Sequence, residues 1–115
     1  MSEVVVVGSF TARPGQEAQA LEAFQEIVAP THQEDGCILY ALHQGADDPR
    51  RLAFVERWSS PEQLQAHLDS PHVQAVLARA DDLFSDGGDI VVYEARPGGE
   101  TRKGSLAEHA GAETG

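Results

Sequence analysis

Four strand-like segments and two helical segments alternate along this chain, and their order limits the folds open to it. The strand signatures are runs rich in valine, leucine, isoleucine and aromatic residues, each bounded by Gly, Pro or Asp. They cover residues 3–12, 37–45, 51–58 and 89–95. The second and third runs are separated by a short turn-like segment, which predicts an antiparallel hairpin.

The helical segments lie between the first and second strands and between the third and fourth. The first begins near Gln16 and carries apolar residues at helical spacing, with Pro30 as a kink or an end. The second begins with Ser60 and Pro61, is interrupted at Ser70-Pro71 and ends before residues 87–88. The order βαββαβ predicts an α+β, ferredoxin-like sandwich with an antiparallel four-stranded sheet.

Two helices cover only one face of such a sheet. In residues 37–42, however, apolar or aromatic side chains point to both faces, because side-chain direction alternates along a strand. The uncovered face therefore predicts a homodimer in which two sheets stack, giving a dimeric α+β barrel.

Length and composition define the domain and exclude several partners. We expect one domain over residues 1–96, followed by a polar tail over residues 97–115 that is mobile or docked on a partner. The formal net charge of −11 argues against nucleic acid and anionic membrane surfaces as partners. No apolar run reaches the ~18 residues of a membrane span, and the start of the chain lacks signal-peptide features, so we expect a cytoplasmic protein.

His67 is the main candidate for chemistry. It follows Leu64 by three residues and so shares the helix face that packs on the sheet. An imidazole is a suitable general base near neutral pH, because its unperturbed pKa is about 6.5. The alternative is a core histidine hydrogen-bonded to a backbone carbonyl or to Glu56.

Five further residues are candidates for substrate binding. Trp58 and Glu56 share one face of the third strand, where the indole either stacks on an aromatic ligand or acts as a packing residue. Tyr40 and His43 have opposite parity on the second strand and therefore point to opposite faces. His72 follows the break at Ser70-Pro71 and either turns toward solvent or reaches the same pocket as His67, and we favour a rim or structural role.

The sequence does not predict a metal site. His67 and His72 are five residues apart, so on one continuous helix they would differ in direction by about 140°. Neither a cysteine nor a third histidine is near them in the sequence to complete a ligand set.

The segment over residues 34–76 closely resembles the antibiotic biosynthesis monooxygenase family. The residues that carry the resemblance are Gly36-Cys37, Tyr40, Glu56-x-Trp58, His67 and His72. The resemblance extends over residues 3–95 and implies a ferredoxin-like protomer in a dimeric barrel. It also implies oxidation of a small quinol or phenol by O₂, without metal, flavin or haem. The alternative function is a non-catalytic dimeric barrel that binds an apolar ligand or serves a stress response.

Overall fold

The computed structural model of this protein describes residues 3–106, and its strands follow the predicted order. The strands are β1 (Val4–Thr11), β2 (Cys37–Gln44), β3 (Arg51–Trp58) and β4 (Asp89–Tyr93). The helices are α1 (Glu17–His32), α2 (Pro61–Leu68), α3 (Pro71–Leu77) and α4 (Ala80–Leu83). None of the helices in the described part of the chain is long and apolar enough to cross a lipid bilayer.

The four strands form one antiparallel sheet in the order β2-β3-β1-β4. The helices pack on one of its faces, with α1 against β2 and α2 against β3. This confirms the predicted ferredoxin-like α+β fold. The structure contains a single chain, so the dimeric barrel stays a prediction.

The second predicted helix is three short helices in the structure. Ser60 and Ser70 each cap a helix by accepting a hydrogen bond from a backbone N–H, and Pro61 and Pro71 occupy the first helical positions. The break at Ser70-Pro71 was predicted, whereas the second break near Arg79 was not. Pro30 lies inside the last turn of α1 and does not end the helix before His32.

The core lies between the helices and the sheet. Alternate residues of β1 point into it, so that Val4 and Val6 are buried while Val5 and Val7 are only half-buried on the other face. Phe24 of α1 contacts Phe54 of the sheet edge to face, with ring centroids 4.8 Å apart.

The predicted tail is partly described. Residues 94–104 contain no helix or strand, and most of them are exposed. Residues 107–115 lie outside the described part of the chain. The boundary at residue 96 therefore stays a prediction.

Candidate active site

A cavity of about 130 Å³ lies between the helices and the covered face of the sheet. Most of its lining is aliphatic or aromatic, from β1, α1, β3, α3 and the chain before β4. Among the lining residues, Tyr40, Glu56 and His67 are buried and carry polar groups, and Asp86 carries a carboxylate at an exposed position. An apolar pocket with a few convergent polar groups is typical of a small-molecule site.

His67 reaches the cavity from α2 and is only 2% exposed. Its ring packs against the rings of Trp58 and Tyr40, at centroid distances of 4.5 Å and 5.1 Å. Burial lowers the pKa of His67, because a charged imidazolium loses its hydration there, and the hydrogen bond with Glu34 opposes this effect. The imidazole is therefore neutral near pH 7 and able to accept a proton.

Glu34 is the partner of His67, and sequence reasoning missed it. Its Oε2 atom lies 2.9 Å from Nδ1 of His67 and 2.7 Å from Nε2 of His72. The sequence had suggested Glu56 or a backbone carbonyl as the hydrogen-bond partner of His67. Glu34 lies in the turn between α1 and β2, where no periodic pattern fixes a side chain's direction, so only the folded turn brings it to the histidines.

Glu56 is a buried carboxyl on β3. Its Oε1 atom accepts a hydrogen bond of 2.8 Å from the indole Nε1–H of Trp58. Burial raises the pKa of Glu56 to about 7, while the Trp58 hydrogen bond opposes that shift. A group with this pKa exchanges a proton readily near neutral pH.

Tyr40 lies beside Glu56 across the sheet, and the two residues are paired in register. Its ring stacks on Phe54 with centroids 4.5 Å apart. Burial raises the pKa of Tyr40 further above its already high ordinary value, and the nearby Glu56 adds to the effect. The phenol therefore keeps its proton.

The other three candidates do not line this cavity. Trp58 is fully buried behind it, where it supports Glu56 and packs on His67. His72 of α3 is half-buried and contacts Glu34. His43 is exposed on the opposite face of the sheet, paired with Ala53, as its parity indicated.

Glu34, His67 and His72 also form a cluster of possible cation ligands. Among residues 3–106, their ligand atoms lie within 4.8 Å of one another. The sequence analysis did not identify Glu34 as a possible third ligand. The oxygen–nitrogen distances of 2.9 Å and 2.7 Å are those of hydrogen bonds donated by imidazole N–H groups.

Comparison with known proteins assigns the family. The family profile described as antibiotic biosynthesis monooxygenase matches residues 3–79, which include Tyr40, Glu56, His67 and His72. The chain belongs to this family. The resemblance seen in the sequence is confirmed.

Relatives in this family carry monooxygenase names. Rv0793 of Mycobacterium tuberculosis, named as a candidate monooxygenase, is 32% identical over 84 residues, which is 73% of this chain and 82% of that protein. YgiN of Escherichia coli, named as a candidate quinol monooxygenase, is 30% identical over 82 residues, covering 63% of this chain and 79% of its own length.

Solved structures agree with the fold. The structure of Rv0793 superposes with a TM-score of 0.76 at 30% identity, over 86% of this chain and 98% of that one. PA3566 of Pseudomonas aeruginosa gives a TM-score of 0.78 at 23% identity, over 82% of this chain and 94% of that one, and supports the fold alone.

Proposed function

We propose that this protein is a cofactor-independent monooxygenase that oxidises a small quinol with O₂ and works as a cytoplasmic homodimer. The observation that carries the proposal is the buried imidazole of His67 in the wall of an apolar cavity that also contains the Glu56 carboxyl. Membership of the monooxygenase family supports it, and so does the quinol monooxygenase name of YgiN.

The chemistry needs little from the protein. A quinol becomes a far better electron donor once a base removes a phenolic proton, and the resulting anion passes an electron to O₂ directly. Overall, the quinol and O₂ give a hydroxylated quinone and water. One oxygen atom enters the ring and the other is reduced to water, with all four electrons supplied by the quinol.

Each polar group of the cavity has a role in this scheme. Nε2 of His67 accepts the phenolic proton, because the lowered pKa of His67 keeps the imidazole neutral near pH 7. The Tyr40 hydroxyl keeps its proton and is able to donate a hydrogen bond to the anion. Glu56, with a pKa of about 7, takes up or returns a second proton.

Cavity size limits the substrate. The cavity volume of about 130 Å³ is close to that of an engineered cavity of about 150 Å³ that holds benzene. We therefore expect a single-ring quinol to be accepted in preference to a two-ring one.

Oxygen consumption tests the proposal. Purified protein treated with chelator is mixed with single-ring and two-ring quinols, and uptake is corrected for autoxidation with heat-denatured protein. We expect turnover of single-ring quinols, lowered by about 10²-fold or more in His67→Ala and much less in His72→Ala. Quinol binding without any oxygen uptake above background would instead support the non-catalytic ligand-binding alternative.

Stability has to be measured for the same variants. Removing a buried histidine leaves its partners unpaired and lowers the free energy of unfolding by roughly 1–3 kcal/mol. Rates are therefore compared only between proteins that are shown to be folded by circular dichroism. A folded His67→Ala protein with the full rate would remove the base role of His67.

A further inference from the structure

Glu34 contacts His67 from outside the cavity. Its side chain is 17% exposed and belongs to the turn between α1 and β2, whereas the His67 side chain is 3% exposed. Glu34 does not line the cavity, so it has no direct access to a ligand bound there. Any effect of Glu34 on chemistry in the cavity therefore passes through His67.

One carboxylate oxygen of Glu34 lies close to the imidazole rings of both His67 and His72. Oε2 of Glu34 lies within hydrogen-bond distance of His67 Nδ1 and His72 Nε2. An ionised carboxylate only accepts hydrogen bonds, so both ring nitrogens have to carry the protons. A neutral His67 in this arrangement has its proton on Nδ1 and an unprotonated Nε2.

The second nitrogen of His67 has no hydrogen-bond partner in the described part of the chain. Within residues 3–106, Nε2 of His67 makes no hydrogen bond, while the His67 ring lines the cavity. Free histidine prefers the opposite tautomer, with the proton on Nε2. That tautomer would present an N–H donor instead of a base.

We propose that Glu34 is a positioning residue that holds His67 in the Nδ1–H tautomer, so that the Nε2 lone pair faces the cavity. His72 is the second donor to the same oxygen and limits rotation of the carboxylate. The arrangement follows the general rule that the hydrogen bond at one imidazole nitrogen sets the protonation of the other. The effect on turnover rests on the proposed function, whereas the tautomer does not.

Nitrogen NMR of the full chain tests the tautomer without any substrate. Two-bond ¹H–¹⁵N spectra at neutral pH distinguish a protonated from an unprotonated Nδ1. We expect Nδ1–H for His67 in the wild type and in His72→Ala, and a shift toward Nε2–H in Glu34→Ala. The matched control is Asp35→Asn, which removes the neighbouring exposed carboxylate and should leave the spectrum unchanged.

Glu34→Gln separates the effect of the hydrogen bond to His67 from the effect of the negative charge of Glu34. A glutamine oxygen still accepts from Nδ1–H, so the tautomer should persist, but the lost negative charge should lower the pKa of His67. The ionisable groups that surround His67 in this measurement are Glu34, His72 of α3, Tyr40 of β2 and Glu56 of β3. Their pH titrations are followed in the same series of spectra.

Kinetics gives the second readout. With a quinol that the wild type oxidises, Glu34→Ala should lower kcat by about 10–100-fold and leave KM nearly unchanged, since Glu34 does not touch the cavity. Absence of any wild-type turnover would refute the proposed function but leave the NMR result standing. An unprotonated Nδ1 in the wild type, or an unchanged tautomer in folded Glu34→Ala, would overturn the positioning role.

Discussion

Glu56 is a buried carboxyl to which residues 3–106 supply one hydrogen-bond donor. It is 7% exposed, and the Trp58 indole is its hydrogen-bond partner on Oε1. A buried carboxylate normally needs a cation or several donors, and Glu56 has neither in the described chain beyond this N–H. Its neutral form is therefore favoured in the folded protein.

The raised pKa of Glu56 makes stability depend on pH. The unfolded chain loses this proton near pH 4.5, whereas the folded protein loses it only near pH 7. Between these values folding has to take up a proton, so the free energy of unfolding falls as pH rises. The limit of this effect is about 3 kcal/mol.

Glu56→Gln removes the titrating carboxyl group but keeps a side-chain oxygen that accepts the hydrogen bond from Trp58. We expect the variant to gain about 1–3 kcal/mol over the wild type as pH rises from about 4.5 to 8, with no further change above pH 8. Urea unfolding of both proteins across this range gives the difference directly. The lowered pKa of His67 makes the free energy of unfolding rise with pH below about 6.5, the pKa of the unfolded state. This contribution is the same in both proteins, so it cancels when their free energies of unfolding are subtracted. Parallel curves for the two proteins would contradict the shift.

The sequence predicted some of these residues and not others, for physical reasons. His67 was predicted to point inward because a helix repeats its direction every three to four residues, as Leu64 shows. Glu56 was placed with Trp58 by strand alternation. Glu34 comes from a turn and meets His67 across 33 residues of chain, a contact that no local pattern encodes.

At the level of elements, the turn before β2 packs tightly on α2. Gly36 is buried in this turn, and a Cβ built on it would lie 2.2 Å from Cβ of Gln63. That carbon cannot rotate away, because it is attached directly to the α2 backbone. The absence of a side chain at Gly36 therefore sets how closely the Glu34 turn approaches the helix that carries His67.

Gly36→Ala should consequently separate the turn from α2. We expect a loss of about 1–3 kcal/mol in the free energy of unfolding, the usual cost of overpacking. Thermal or urea unfolding measures it. Gly98→Ala is the matched control, since nothing lies within 4 Å of its added Cβ, and it should change stability by less than about 0.5 kcal/mol. Equal stability of the two variants would refute the close approach.

The division of the second helix shows where sequence patterns become insufficient. The first break was predictable because Ser70 and Pro71 are a cap and a helix-starting residue. The second break has no such chemistry: α4 starts after Arg79 without a side-chain cap. Leu77, the last residue of α3, follows the buried Val76 and is 52% exposed where the chain turns.

For the whole molecule, the important feature is the sheet face that the helices leave open. Val55 lies at its centre, paired with Val7 on one side and Ala41 on the other. All three are half-buried in the single chain. Arg57, on the same face of β3 as Val55, pairs with Glu3 of its own chain. An uncovered apolar face of this kind favours association with a second copy.

We expect light scattering to give twice the chain mass of 12.3 kDa at micromolar protein. Val55→Asp should shift the mass toward the monomer, because an unpaired charge in such an interface is strongly unfavourable. Ala66→Asp adds the same charge on an exposed position of α2 and should remain dimeric. A wild-type monomer whose mass does not change with concentration would contradict the dimeric barrel.

The burial of Trp58 beside His67 gives the protein an intrinsic fluorescent probe of this site. It is the single tryptophan of the chain, it is fully buried, and its ring lies 4.5 Å from that of His67. An excited indole transfers an electron to a neighbouring imidazolium but hardly to a neutral imidazole, so emission is quenched when His67 is protonated. The fluorescence of the unlabelled protein thus responds to protonation of His67 beside the indole, and also to protonation of Glu56, which accepts the indole N–H hydrogen bond and has a pKa of about 7.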